Sequence, residues 1–313
     1  MNRLISIIIV SYNTKALTLD CLRSVFDQTE ITSFKVHVID NNSSDGSAEA
    51  ISKEFPQVHL IKSAVNHGFA KANNLVADTI DSKYILLLNP DTVVLDGAID
   101  TIYQFAEKNE ASGIWGGKTL YGDHTLNPNS CFRQMSLWNL FCRALGLSVL
   151  GRNTELFNGE EFGGWQRDTE RQVDIVSGCF LLISRSLWVH LKGFDERFFM
   201  YAEDADLCLR ASRIGYNPRV TPLASIIHYG GASECIRSDK MVRLLRAKSD
   251  LLIVHWNTLP AFLGRVLIGT SAVVRLLIFL ILDTLTKGDK YREKRNVWFD
   301  IWQRRSSWFH GNG

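Results

Sequence analysis

What this 313-residue chain lacks narrows its function before any motif is read. Net charge is small: 35 Lys and Arg against 33 Asp and Glu leave +2, too little for a bulk positive field that grips nucleic acid. Closely spaced cysteines are missing. Cys21, Cys131, Cys142, Cys179, Cys208 and Cys235 lie far apart, with no C-x-x-C pair for zinc or redox work and no dense disulfide framework, so a reducing cytosol fits best. No G-x-G-x-x-G turn follows the first apolar run, where Ser11-Tyr12-Asn13-Thr14-Lys15 stands instead; this sets aside a Rossmann-type oxidoreductase. Long hydrophobic runs are missing too. Residues 4–10 are too few for a signal peptide and run straight into a polar turn, and the 15 residues 268–282 fall short of the roughly 18 that suggest a bilayer span. No internal repeat is present.

What is there begins with alternation. Apolar, β-branched runs at 4–10, 34–39, 58–61 and 84–88 read as buried strands, and Leu17, Cys21 and Val25 recur every four residues behind Asn13 and Thr14, which can cap a helix. That is the pattern of an α/β sheet covered on both faces, whose ligands sit beyond the carboxyl ends of the strands. The residues there are polar: Ser11-Tyr12-Asn13, Asp40 to Gly46, Asn66-His67-Gly68 and Asn89-Pro90-Asp91. From about 121 to 171 periodicity weakens and an irregular insertion is expected, followed by an ordered block from Val173 to about Gly231. After residue 282, residues 287–305 hold seven bases against three acids, with Trp298 and Trp302 among them and Trp308 just beyond, a mixture suited to lipid headgroups.

Two groups of residues carry chemistry. Asp40 and Asp91 each end an apolar strand, where a buried carboxylate needs a polar or cationic partner. One could accept from the imide N–H of uracil or thymine and the other hold Mg²⁺ or Mn²⁺ against a diphosphate, although Asn-Pro-Asp and Asp-Gly are also ordinary turn sequences. Glu203, Asp204 and Asp206 crowd the start of an amphipathic helix, where a carboxylate stays ionised and can take a proton from a sugar hydroxyl; a solvated acidic helix start would look the same. His228 ends a further apolar run, Ala224-Ser225-Ile226-Ile227.

Taken together, Ile9-Val10-Ser11-Tyr12-Asn13, the run Val38 to Ser47, Asn66-His67-Gly68-Phe69-Ala70, Leu87-Leu88-Asn89-Pro90-Asp91, Ser177-Gly178-Cys179-Phe180, Gly193-Phe194-Asp195-Glu196, the run Tyr201 to Arg210 and His228-Tyr229-Gly230-Gly231 resemble the family 2 inverting glycosyltransferases. Within that family the chain looks most like the rhamnosyltransferases that build bacterial polysaccharides on lipid carriers. The resemblance implies an α/β, GT-A (Rossmann-like) fold: a mixed, mainly parallel sheet flanked by helices. It also implies a catalytic domain at 1–235, its nucleotide-sugar half at about 1–120 and its acceptor half at about 121–235. Residues 236–313 would form a helical membrane-associating segment.

Carried over residue by residue, Asp40 reads the nucleobase, while Ser11, Tyr12, Asn13, Asn42, Asn66 and Gly68 line the nucleotide. Asp91 ends the metal motif D-x-D, whose first aspartate is here Asn89, and His228 completes a divalent-metal site for Mg²⁺ or Mn²⁺. Asp204 is the catalytic base with Glu203 its neighbour and stand-in, and Gly178 leaves room for the donor and acceptor sugars. The Q-x-x-R-W motif of processive relatives is absent. The expected reaction is transfer of one sugar, L-rhamnose from dTDP-rhamnose, to a polyprenyl-diphosphate-linked saccharide in cell-wall or O-antigen synthesis. A UDP-hexose or UDP-galactofuranose transferase, or a non-catalytic membrane-bound sugar-binding protein, are the alternatives. The expected location is peripheral, on the cytoplasmic face of the plasma membrane against anionic lipid; no nucleic acid is expected, and oligomerisation stays open.

Overall fold

The four apolar runs form β1 (Ile5–Ser11), β2 (Phe34–Asp40), β3 (His59–Lys62) and β4 (Tyr84–Leu88), paired in parallel in the order β3-β2-β1-β4. All seven residues of β1 are buried, as a central strand covered on both faces requires. This computed structural model describes residues 4–230, 237–286 and 288–310, so Gly231, Cys235 and Lys287 lie outside the described residues.

The second half of the sheet is built from β5 (Thr92–Val94), β6 (Ile114–Leu120), β7 (Phe180–Ser184) and β8 (Arg219–His228). Strand β7 runs antiparallel to both β4 and β6, and β8 pairs in parallel with β6 and antiparallel with β5. Two short strands extend this sheet to ten strands among the described residues. The core lies between β1, β4 and β7 and the helices Lys15–Gln28 and Ala98–Lys108, where Ile7, Leu22, Leu86, Ile102 and Leu182 are fully buried.

The chain divides into two compact units. The sheet unit comprises Met1–Phe132 with Gln166–Ser233, and the helical unit Arg133–Trp165 with Glu234–Gly313. The expected irregular stretch from 121 to 171 is thus shared between them. Its middle part belongs to the helical unit because a buried charge cluster holds it there: Glu160 pairs with Lys248 at 2.6 Å and with Arg143 at 3.2 Å. Burial raises the Glu160 carboxyl, but the two cations outweigh it and bring its pKa down to about 2. Charge divides unevenly. The helical unit has 17 Lys and Arg against 10 Asp and Glu, leaving 18 against 23 in the sheet unit.

One expectation about the tail is corrected. The apolar run of 15 residues sits inside a 29-residue helix, Thr258–Thr286, long and apolar enough by length and composition to cross a membrane. The run understated the helix because Arg265 before it and Asp283 after it interrupt hydrophobicity without interrupting helical hydrogen bonding. A second helix, Asp289–Gln303, runs back along the first. Arg295 reaches Asp283 at 2.6 Å, Lys294 lies 5.4 Å from the Phe279 ring, and Arg275 lies 5.4 Å from the ring of Trp298 while bonding Ser271.

Candidate active site

The loops leaving β1, β2 and β3 are stapled to one another. Ser11 C=O accepts the Asn41 N–H at 2.8 Å, and Asn13, at φ 52°, donates its N–H to Ser43 Oγ (2.9 Å) and accepts the Ser44 N–H (2.8 Å). Capping is not done as the sequence suggested. The hydroxyls of Ser11 and Thr14 turn onto Thr18 Oγ1, each at 3.1 Å, and the free Lys15 N–H goes instead to Asp45 of the neighbouring loop at 2.9 Å. Ser11 therefore meets the loop through its backbone, while Tyr12 is half-buried and Asn42, at φ 70°, is exposed.

Asn41 latches the third loop. Its amide donates to Asn66 Oδ1 (2.9 Å) and to the Gly68 carbonyl (3.1 Å), and its oxygen accepts the His67 N–H (2.9 Å). Gly68 is needed twice over: its φ of +76° disfavours a side chain, and a Cβ would strike the Phe199 carbonyl and ring. The Phe69 N–H donates to that same carbonyl at 2.9 Å, pressing the loop onto the aromatic run ahead of helix Glu203–Arg213.

Asp40 is 4 % exposed; one oxygen accepts the Ser43 N–H at 3.0 Å, while Oδ1 is buried with no partner among the described residues. An orphaned buried acceptor costs stability unless a ligand donor meets it, and an imide N–H is such a donor.

The three acids of helix Glu203–Arg213 have separate fates. Asp206, fully buried, pairs with Arg210 at 2.7 Å, and Arg210 in turn holds the carbonyls of Leu191 and Gly193 at 2.7 and 2.9 Å. It is structural. Glu203 is buried with Oε2 unpartnered among the described residues; burial, then the charge of Asp204, push its carboxyl well above the usual range. Asp204 is half-buried and accepts the N–H of Gly178 (2.9 Å) and of Ala205 (2.7 Å); burial still leaves its pKa raised. Tyr201 and Ala202 both hold left-handed backbone, φ 72° and 67°, where the chain turns into this helix.

Asp91 and His228 meet at 3.3 Å because β5 and β8 pair with Thr92 opposite His228. Asn89 Nδ2 lies 3.3 Å from the same His228 nitrogen. Burial disfavours a charged ring at His228, yet the Cys179 sulfur and the Asp91 carboxylate outweigh it and raise its pKa to about 10. Asp91 is correspondingly held below the usual range: burial would raise it, but His228 and backbone N–H groups prevail. The pocket therefore favours positive charge. One carboxylate and one imidazole, with Asp91 Oδ1 and His228 Nε2 facing each other at 3.3 Å, suit a divalent ion whose other ligands come from diphosphate and water. Among the described residues, no group of three or more His, Cys, Asp or Glu side chains is placed to hold a metal ion by itself.

Sequence reasoning passed over Cys179 and the part played by the turn it closes. Gly178 gives its N–H to Asp204, and the next carbonyl, that of Cys179, accepts the Asn89 N–H at 3.1 Å. Two adjacent residues thus tie the acid side to the Asn89/Asp91/His228 side. No signal in the sequence marks this link, because it exists only once β7 lies beside β4.

Comparison with known proteins bears on the family and the fold. The chain is 29% identical over 211 residues to the N-acetylglucosaminyl-diphospho-decaprenol L-rhamnosyltransferase of Mycobacterium tuberculosis (strain CDC 1551 / Oshkosh), covering 62% of this chain and 66% of that protein. It is 28% identical over 204 residues to rhamnosyltransferase WbbL of Escherichia coli (strain K12), covering 63% and 73%. The chain thus spans just under two thirds of the length of the first of these relatives. Among solved structures, the mannosyltransferase PcManGT of Pyrobaculum calidifontis, in complex with GDP-Man and Mn²⁺, superposes with a TM-score of 0.61 at 13% identity, over 98% of this chain and 88% of that one, which shows the GT-A fold. The family model described as Glycosyl transferase family 2 matches residues 6–190, more than half of the chain and every loop from Ser11 to Gly178. With its sheet, its strand-end loops and its sequence in agreement, the chain belongs to glycosyl transferase family 2.

Proposed function

We propose that the chain is an inverting glycosyltransferase that moves a single sugar, L-rhamnose from dTDP-rhamnose, to a polyprenyl-diphosphate-linked saccharide. The observation that carries this reading is the Gly178-Cys179 link, which fixes the Asp204 carboxylate relative to Asn89 and hence to Asp91 and His228. Asp204 Oδ takes the proton of an acceptor hydroxyl as that oxygen bonds to the anomeric carbon. The bond from that carbon to the diphosphate oxygen breaks in the same step, and configuration inverts. A raised pKa makes Asp204 a stronger base than an ordinary aspartate, and its N–H donors hold it in place. Asp91 and His228 would hold Mg²⁺ or Mn²⁺, which supplies charge neutralisation at the departing diphosphate.

The names of the relatives support rhamnose and a lipid-linked acceptor. Asp40 accepting from an imide cannot tell thymine from uracil, so a UDP-hexose or UDP-galactofuranose is the second reading. Asp204→Asn tests the assignment: turnover should fall by about 10² or more with donor affinity nearly unchanged. Near wild-type transfer by this variant would remove Asp204 from the mechanism. A screen of dTDP- and UDP-sugars with Mn²⁺ for protection against thermal unfolding identifies the donor.

The proposed location is the cytoplasmic membrane surface. Helix Thr258–Thr286 is long enough to cross, but crossing would carry the Asp283–Arg295 pair, Arg275 and Lys294 into hydrocarbon with helix Asp289–Gln303, or tear the two helices apart. Lying in the interface keeps both the apolar face and the ion pairs satisfied.

A further inference from the structure

Phe69 is the second residue of helix Gly68–Ala77, directly after the loop that Asn41 latches, and it stands half-buried among polar neighbours. Its backbone is held on both sides: the N–H donates to the Phe199 carbonyl at 2.9 Å, and the carbonyl accepts the Asn73 amide at 2.9 Å. Behind the ring lies an aromatic column. Phe69 meets Phe194 at 5.9 Å between centroids, Phe194 meets Trp188 at 5.0 Å, and both Phe194 and Trp188 are buried. Asn74 fixes Phe194 in turn, accepting its N–H and donating to its carbonyl, each at 2.9 Å. The space behind the Phe69 ring is therefore filled, and the ring cannot withdraw into the core.

Its other neighbour is the turn that holds Asp204. A Cβ built on Gly178 would lie 3.4 Å from Phe69 Cε1, 3.6 Å from Phe69 Cζ and 3.6 Å from Asp204 Cβ. The phenyl ring, the bare Cα of Gly178 and the stem of Asp204 thus border one crevice. The reaction dictates what such a crevice holds. As Asp204 takes the acceptor proton, that oxygen bonds to the anomeric carbon, so the transferred sugar lies within a few Å of the carboxylate. The chain brings Phe69 to this place from the nucleotide side, next to Gly68, which puts the ring with the donor. The C–H surface of a sugar gains by leaving water against an apolar wall, and a phenyl ring offers such a wall with no polar atom to compete for the hydroxyls.

We propose that Phe69 is a sugar-contacting residue, its ring forming the apolar wall of the donor-sugar subsite beside Gly178 and Asp204. This rests on the reading of the chain as a transferase with Asp204 as its base. The ring then contributes affinity for the sugar and none for the nucleoside diphosphate that carries it.

The test titrates the full chain, wild type and Phe69→Leu, with dTDP and dTDP-rhamnose and with UDP and UDP-galactose, all with Mn²⁺. Leucine keeps an apolar contact for Phe194 but removes the ring. In Phe69→Leu the affinity for the nucleoside diphosphate should stay as in the wild type, while the ratio of nucleotide-sugar to nucleoside-diphosphate affinity falls about fivefold or more. A second measurement does not depend on how the variant folds. Saturating the aromatic protons of the wild type should transfer signal to the sugar C–H protons of the bound donor, and ring-deuterated phenylalanine should abolish that transfer. An unchanged affinity ratio in Phe69→Leu, or no transfer from phenylalanine to the sugar in the wild type, overturns the proposal and leaves the transferase reading intact. Binding of the UDP pair alone corrects the donor, and the ratio is then read on that pair. A wild type that binds none of the four nucleotides removes the transferase reading and the proposal with it.

Discussion

Three acids within four residues look alike in a sequence, and their division of labour depends on which oxygen reaches which donor. Glu203 has no counter-charge and, among the described residues, no partner at Oε2, and its raised pKa has a thermodynamic sign. Because the folded state holds that proton more tightly than the unfolded chain does, stability is greatest below the ordinary glutamate range and declines as pH rises towards the raised value. Glu203→Gln mimics the neutral acid and removes this decline, so its melting temperature should gain on the wild type as pH goes from about 5 to 8; parallel curves would show Glu203 ionised. Gly178 is a different case. A Cβ there would make ordinary contacts, 3.4 Å to Phe69 and 3.6 Å to Asp204, at an unstrained φ. Gly178→Ala should therefore melt close to the wild type and keep its N–H to Asp204, yet lose most transfer activity by occupying sugar space. Full activity would show that the glycine serves no ligand. Asp204 and Gly178 were singled out through the resemblance, whereas the raised carboxyl of Glu203 and the pairing of Asp206 with Arg210 depend on burial that spacing does not encode.

At the level of elements, β1, β2 and β4 were readable to within a residue because buried parallel strands are near-continuous apolar runs, and the exposed edge strand β3 by its apolar Leu60-Ile61 centre. Strand β7 was not placed, since its antiparallel insertion between β4 and β6 depends on which edges remain free after the first four strands pair. That placement creates the candidate site. The ladder that sets Thr92 opposite His228 makes the Asp91–His228 pair a consequence of strand register. Asp91→Ala should abolish the divalent-ion-dependent part of donor binding and His228→Ala should weaken it, read as donor affinity with and without chelator. Equal affinity under both conditions in the wild type would dismiss the ion. Gly68→Ala should cost stability by about 1–3 kcal/mol on denaturant titration, because both its backbone angle and the Phe199 carbonyl oppose a side chain.

Across the whole molecule, charge is divided where the fold is divided. The helical unit is cationic and the sheet unit anionic, a division that the net of +2 conceals. Vesicle binding should therefore rise with the fraction of anionic lipid and fall steeply between low and physiological salt, and alkaline carbonate should release the protein from membranes. Retention after carbonate would mean that helix Thr258–Thr286 crosses the bilayer. The pairing of that helix with Asp289–Gln303 also has a consequence in time. The ribosome completes the apolar helix before it begins the charged one, and at about 5–20 residues per second the partner arrives roughly one to three seconds later. In that interval the nascent chain presents an uncovered apolar helix to any insertion machinery nearby, so whether it ends up in or on the bilayer is decided by a race between synthesis of the second helix and capture of the first.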